Sequence, residues 1–567
     1  MKKIFFVIAA LILTGCSGIP SSGSIKYGPE INTIESDQFI QVIGRPPTPG
    51  MTPEQIVQGF LTAMADSRDD YAIAKQYLTT GAARSWKSSA GITIYDQNNF
   101  QVSLEDTVAT LSAAKLGEIN STGYLSVAGA GATLNSQLRL AQDIQGEWRI
   151  AELADGVLLT INDIDRSFKG YPIYFFGPDR KTLVADTVLL PQTLTGSATA
   201  LVQALLAGPS NKLETAVFNS FPTGTALTYG SVPVTEGVAN IDLTNQILSA
   251  DQQTRSLMSA QLTWTLSTLP NVNSISITVS GQPITVAGVS SAQSVRDWAQ
   301  FNPVQFTGNE ILHYVRDNQV FSLNLNSEET LVVQVNPTSR VNISEVFGAP
   351  QGGSVAAVTT DSKRVLVSTG RGGQFEQVAS GEAISKPSWD QSGGVFYSDY
   401  GVGIYEVDST RAVRPVSFEI NELASISQVK QIAVAKDGVR VAMVVSDGSI
   451  DLLVGGAIVK TSNSTTIVGL HLIERNITAI KDLAWQTPTS IAVLGSDPAG
   501  GNLIMDVDIA TGTHTSTVAP VSAQSLASSI GKQVYVGTVI DSKAVISRQV
   551  GSNWTDVVSG YSPYFSE

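Results

Sequence analysis

One cysteine, three histidines and a deficit of positive charge restrict what these 567 residues can do. With Cys16 as the only cysteine, no intrachain disulfide can form, so the fold must rest on its core alone. The histidines, His313, His471 and His514, are scattered, and neither HExxH nor CxxC occurs, which excludes zinc sites of those kinds. Gly531-Lys532 is followed by Gln533, so there is no Walker loop. Gly129 and Gly131 supply half of a dinucleotide fingerprint and are read as a turn. No GxSxG elbow is present, and Ser112-Ala113-Ala114-Lys115 matches SxxK without the downstream partners that motif requires. Asp66, Asp69 and Asp70 read as a solvated loop between helices, and Asp506 and Asp508 as one side of a strand, with no calcium loop around them. No catalytic, cofactor or metal residue is therefore assigned. A net charge of −14 argues against nucleic acid and against a broad electrostatic hold on anionic lipid.

The N-terminus carries the clearest signal. Lys2 and Lys3 precede the apolar run Ile4 to Leu13, which is of signal-peptide length and too short to span a bilayer comfortably. Leu13-Thr14-Gly15-Cys16 resembles the bacterial lipobox. Small residues admit the backbone to a peptidase, and the thiolate is nucleophilic enough to take up a diacylglycerol. Cleavage is expected between Gly15 and Cys16, with lipid on Cys16. Two acyl chains anchor stably where one does not. Residues 1–15 are then a signal peptide, and 16–36, rich in Ser, Gly and Pro, a tether. The implied location is the outer face of the cytoplasmic membrane.

The remaining chain is too long for one core. Residues 37–161 read as an α+β domain. Thr52-Pro53-Glu54-Gln55 predicts a helix start with a capping box, and Ile56, Phe60 and Met64 its buried face. A second helix is expected over Tyr71 to Leu78. Strands are expected near Ile92–Ile94, Gln101–Leu111, Tyr124–Val127 and Ala132–Ala141, the last being Glu147–Ala151. This order resembles the cone of nuclear transport factor 2 relatives. Residues 171–286 carry a strand at Tyr171–Phe176, a helix Ser197–Ala207 stopped by Gly208-Pro209, and a strand Ala226–Val232. Gly237–Leu243 follows, then a long helix through Thr268, capped by Ser249 and Gln252, with Met258, Leu262, Leu266 and Leu269 buried. A strand Val272–Val279 ends the domain. "FPTGT", "GVANIDL" and "ITVSGQP" resemble the GerMN domain of germination and sporulation proteins. That resemblance carries over no catalytic residue.

From about Phe301 to Glu567 the chain repeats six times, each repeat giving three strands separated by turns such as Asp437-Gly438, Asp447-Gly448 and Gly500-Gly501. The middle strands include Ile311–Tyr314, Val365–Val367, Val395–Tyr397, Val441–Val444, Ile491–Leu494 and Val534–Val536. Repeats of roughly 40–45 residues with several strands each predict a β-propeller of the six-bladed type. Trp389 and Trp485 hold equivalent places and are assigned to the core.

A lipobox followed by an α+β domain, a GerMN domain and a propeller resembles the actinobacterial LpqB lipoprotein family over essentially the whole mature chain. The resemblance implies an accessory role beside a sensor histidine kinase of a two-component system, with effects on envelope upkeep and cell division. The expected partner is thus the kinase's extracytoplasmic domain. The competing class is a cell-wall glycan binder or hydrolase using the propeller mouth. Carboxylates converging there would favour it.

Overall fold

The computed structural model describes residues 43–565 apart from 130, 193–195, 304–310, 326–332, 335–340, 351–352, 369–373, 419–427, 447–449, 475–476, 530, 532 and 542. Gly15, Cys16, the signal peptide, the tether and the Asp447-Gly448 turn lie outside the described residues. Residues 41–567 form one unit. No helix among the described residues is long and apolar enough to cross a membrane.

Helix α1 (Pro53–Ala63) starts as its local chemistry dictates. The Thr52 side chain accepts from the Gln55 backbone N–H, and Gln55 reaches back to the Thr52 N–H. Ile56, Phe60 and Met64 are buried. The second helix, α2 (Arg68–Lys75), has positive φ at Asp69, Asp70 and Tyr71, so its regular right-handed part starts only after the expected Tyr71, and it stops before Leu78. A separate α3 (Thr80–Ser85), capped by Thr79, follows it. The expected strand Gln101–Leu111 is a hairpin instead. After β1 (Gly91–Tyr95), β2 (Gln101–Glu105) turns at Asp106, a residue with φ +52°, into the long β3 (Val108–Asn120). Then come β4 (Leu125–Val127), β5 (Thr133–Gln142) and β6 (Trp148–Glu152). Glu147–Ala151 is not the last strand: β7 (Val157–Thr160) runs parallel to β1 at the far edge of the sheet β6-β5-β3-β1-β7. The run Val-Leu-Leu-Thr has no alternation to mark it and leads directly into α4 (Ile161–Ser167).

The middle region opens with the hairpin β8 (Phe168–Phe176) and β9 (Leu183–Pro191). Helix α5 (Ser197–Ala207) ends at Gly208, whose φ of +102° suits glycine. The expected strand Ala226–Val232 does not form. Gly230 at φ +65° and Pro233 interrupt it, leaving a single bridge from Leu227 to Leu243. The strand pair is β10 (Val234–Thr235) and β11 (Val238–Leu243). β11 runs parallel to β12 (Ser274–Val279), with α6 (Gln252–Leu266) as the crossover. Its cap is Asp251, which accepts from the Thr254 N–H at 2.7 Å, and not Ser249, which ends a short 3-10 turn. Met258, Leu262, Leu266 and Leu269 are buried as expected. Buried polar residues on α6 satisfy β8: Gln261 donates to the Tyr174 carbonyl at 2.9 Å, and Thr265 accepts from the Tyr174 N–H at 3.1 Å. Short strands β13 (Gln282–Pro283) and β14 (Ala292–Gln293) finish the sheet against β12.

Among the described residues, the C-terminal region is a propeller of six blades with four strands each, one more per repeat than the sequence pattern indicated. The innermost strands are Ile343–Gly348, Ser388–Trp389, Gln428–Val434, Thr478–Thr487, Ala523–Ala527 and, in the blade that also contains Ile311–Arg316, Tyr561–Phe565. Each touches the next around a closed ring, and Tyr561–Phe565 completes it beside both Ile343–Gly348 and Ala523–Ala527. The last segment of the chain therefore pairs with the first strand of the propeller and removes an open edge. Val365–Val367 is the third strand of its blade; Val355–Thr359 is the second. Blades three and four are fused, because Val413–Phe418 pairs in parallel with Thr465–Glu474. Trp389 and Trp485 are 7% and 6% exposed. Each indole N–H donates to a carbonyl of the preceding blade's innermost strand, Trp389 to Phe347 at 2.9 Å and Trp485 to Ala433 at 3.1 Å. Both are core residues that stitch adjacent blades.

Candidate functional site

Each blade carries a polar residue on its innermost strand or, for Lys386, two residues before it: Glu345, Lys386, Gln431, Asp482, Ser525 and Ser562. Strand pairing sets four of them at one level, since Glu345 lies opposite Val358, Gln431 opposite Val444, Asp482 opposite Leu494 and Ser525 opposite Gly537. The result is a polar ring around the axis, with Asp482 at its centre of connection. Its Oδ2 accepts from Lys386 Nζ at 2.9 Å and from the Leu526 N–H at 2.7 Å. Its Oδ1 accepts from Gln431 Nε2 at 2.9 Å and from the Leu483 N–H at 2.8 Å. Ser562 donates to Glu345 Oε2 at 3.1 Å and accepts from the Val346 N–H. Burial pushes the Glu345 carboxyl up to about 7; Lys386 opposes the shift and Asp482 adds to it. Trp389, Trp485, Lys386 and Gln431 line the axial cavity, which is about 60 Å³, room for a few water molecules.

A second cluster of buried charge joins blades three and four. Lys460 bonds to both Asp390 and Glu406, and Thr465 donates to the other oxygen of Glu406. Its atoms are again mutually satisfied.

The third cluster lies where all three regions meet. Lys212 Nζ donates to the Leu125 carbonyl at 2.7 Å, and the Tyr124 hydroxyl donates to the Gly208 carbonyl at 3.1 Å. From the propeller, Arg440 is paired with Asp437 and donates to the Ala185 carbonyl. Asp186 accepts from the Ser210 N–H at 2.7 Å. Burial lowers Lys212 to about 8, with Arg440 adding to the shift and Asp186 opposing it. Burial, then Lys212 and Arg440, push His471 down to about 3, so it is neutral here. Val184, Leu213 and Ala216 pack on Val439, Ala457 and Val468 beneath these polar groups. Contact is close enough to require glycine: a Cβ on Gly469, at φ +61°, would lie 2.4 Å from the Lys212 carbonyl oxygen.

The residues weighed in the sequence are not brought together. His313 stacks on Tyr564 in one blade, His471 sits at the junction, and His514 pairs with Glu474 at 3.1 Å in another. No group of three metal-ligating side chains occurs among the described residues. Lys115 of the SxxK match pairs with Glu118. Asp66 holds Arg68 and the Gly44 N–H, and Asp70 holds Lys75 and Ser88. Asp506 accepts from Gln486, and Asp508 from the Ala510 and Thr511 N–H groups. The ring was missed although its signal is in the text of the sequence: Lys386-Pro-Ser-Trp389 and Asp482-Leu-Ala-Trp485 place a charge at the same offset from each tryptophan.

Comparison with known proteins adds to this geometry. A model of the lipoprotein LpqB N-terminal domain matches residues 46–165, one described as sporulation and spore germination matches 172–285, and one of the LpqB β-propeller domain matches 320–565. Lipoprotein LpqB of Thermobifida fusca is 26% identical over 98% of this chain and 97% of its own. That of Cutibacterium acnes is 28% identical over 99% of this chain and 98% of its own. Among solved structures, TolB of Acinetobacter baumannii, 18% identical, aligns with 47% of this chain and 68% of its own at a TM-score of 0.37.

Proposed function

The chain belongs to the LpqB lipoprotein family, and on that premise we propose that it is held by lipid on Cys16 at the extracytoplasmic face of the membrane and binds and modulates the outer domain of a sensor histidine kinase. The observation that carries this reading is the saturation of the buried charged groups the propeller gathers. Asp482, Lys386, Lys460, Asp390 and Glu406 are all engaged with one another or with the backbone. What the domain offers is a rigid surface built from turns, the usual ground for holding another protein. Two carboxylates, Glu345 and Asp482, do approach the axis, but the cavity there is too small for a sugar ring, which weighs against the glycan-binding or hydrolytic alternative. Modulation requires a different affinity for the kinase's two signalling states.

Two measurements test the proposal. Cys16→Ala should move the protein from the membrane fraction to the soluble one, since no thiol remains to take the lipid; unchanged retention would overturn the anchor. The mature chain should bind the purified extracytoplasmic domain of the kinase and change autophosphorylation of the full-length kinase in vesicles. No binding, together with kinase output that is the same in a deletion strain, would overturn the partner.

A further inference from the structure

The first two regions meet one face of the propeller, at the turns of blades four and five that carry Arg440, Thr489 and Gly512. Three glycines let these surfaces approach. A Cβ on Gly512, at φ +71°, would lie 2.7 Å from Leu125 Cδ2, and one on Gly170 would lie 2.6 Å from Thr511 Cγ2. With Gly469 against the Lys212 carbonyl, these contacts leave a cavity of about 40 Å³ at the junction, room for one or two water molecules.

His471 opens onto that cavity. Its Nδ1 lies 2.8 Å from the Gly469 carbonyl oxygen, and since a carbonyl only accepts, Nδ1 carries the hydrogen and Nε2 is the nitrogen left to take a proton. Gly469 is also the residue against which the Lys212 backbone packs, so one turn holds both groups. The ring lies on Gly455, where a Cβ would come within 2.7 Å of Nε2. Facing it are Lys212 and Asp186 from the middle region, Tyr124 from the first, and Arg440 with its partner Asp437 from blade four. Two cations and two carboxylates balance while the ring is neutral. A proton on Nε2 adds a third positive charge where water is nearly excluded, the state that burial, then Lys212 and Arg440, disfavour. Opening the junction removes Lys212 and admits water, and the imidazole regains its ordinary affinity for a proton.

We propose that the junction is a proton-sensitive latch: it stays closed while His471 is neutral, and uptake of a proton by His471 releases the first two regions from blades four and five. The closed state holds fewer protons on His471 than the open one, so acid favours opening. Against an ordinary imidazole pKa near 6.5, a fall from pH 7.5 to 5.5 shifts the equilibrium about tenfold toward the open state through this one group. Lys212, lowered to about 8, is protonated open or closed over most of that range and adds little. His514 acts in the opposite sense. Its hydrogen bond to Glu474 raises the imidazole above its ordinary range, and Asp165 of α4 adds to this, so a proton there favours the closed state. Burial raises Asp165, against His514, and it too resists opening in acid. Release uncovers Val439, Ala457 and Val468, which Val184, Leu213 and Ala216 now cover, so acid bares an apolar patch that is hidden at neutral pH. The latch belongs to the chain itself and stands whichever partner the chain binds.

The test is hydrogen exchange of the full mature protein at pH 7.5 and 5.5, corrected for the chemical exchange rate at each pH. Protection at Tyr124, Ser210 and Leu213 should fall about tenfold further in wild type than in His471→Gln, whose amide still donates to the Gly469 carbonyl but takes no proton. The innermost strands of the propeller should keep their protection. His514→Gln should enlarge the fall, since it removes a group that opposes opening. If His471→Gln lowers the unfolding midpoint, Lys212→Met replaces it: without the flanking charge the closed state accepts the proton, the pH response flattens, and the His471 ring, followed by NMR, titrates at a higher pH than in wild type. Junction protection in wild type that is the same at both pH values overturns the latch. So does a pH response of His471→Gln equal to that of wild type, which assigns the acid sensitivity to other groups. Protection lost equally through the innermost strands also overturns it, because the event is then unfolding and not release.

Discussion

The axial ring and the three-region junction use the same chemistry, buried lysine, arginine and aspartate, for different ends. In the ring, each blade contributes one polar residue on or just before its innermost strand, and a single carboxylate, Asp482, accepts four hydrogen bonds from groups on four different strands or their connections. In the junction, nothing repeats. Tyr124, Lys212 and Arg440 come from three regions and donate chiefly to backbone carbonyls. Charges satisfied by each other lock a closed ring, whereas charges satisfied by a neighbour's backbone record how two surfaces meet. The first arrangement should hold the propeller itself, and the second only the assembly of regions.

That distinction can be broken most sharply at Asp482. Asp482→Ala leaves Lys386 buried without its partner and orphans two backbone N–H groups, and should cost about 3–5 kcal/mol of propeller stability. Denaturant unfolding followed by tryptophan fluorescence reads this; a loss under about 1 kcal/mol would mean the ring is incidental. A smaller effect, of a different kind, is expected at the junction. Gly469→Val places a branched side chain at φ +61° against the Lys212 carbonyl, and should cost about 1–3 kcal/mol. Hydrogen exchange should speed up around Tyr124 and Ser210 while the propeller's innermost strands stay protected. If those strands also lose protection, ring and junction are not separable.

The smallest effect concerns Glu345 and depends on pH. Its folded pKa of about 7 lies above the ordinary value near 4.5, so between those values the unfolded chain releases a proton that the folded one keeps. Stability falls through that window as pH rises and is level above it. Glu345→Gln removes the penalty, so its melting temperature should match wild type at pH 4 and exceed it at pH 8, by about 1–3 kcal/mol in free energy. Equal melting temperatures at both values would place Glu345 in contact with bulk water.

Legibility followed the range of the interactions. The Thr52 cap, the stop at Gly208 and the stripe of α6 were legible because each is decided within a turn or two of helix. The strand expected over Ala226–Val232 does not extend beyond the single bridge at Leu227, because Gly230 at φ +65° and then Pro233 turn the chain away. The fourth strand of each blade, the outermost, escaped the pattern because in most blades it is largely exposed and has no apolar run to mark it. The ring residues have no local signal beyond their spacing from Trp389 and Trp485, because what joins them is the closure of the propeller.

The sequence by itself determined the repeat, the order of the three regions, the burial of the tryptophans and the resemblance that names the family, because periodic apolar residues and glycine-marked turns act locally. It also carries the lipobox-like run Leu13-Thr14-Gly15-Cys16, whose recognition as an extended peptide would need no fold. Only the tertiary structure decided how the ring closes, since Tyr561–Phe565 must travel to the strand at Ile311–Arg316. It alone decided which propeller face the other regions cover. Lys212, Leu125 and Gly469 are far apart in the chain, and their contact is a matter of shape and carbonyl direction that no local pattern encodes.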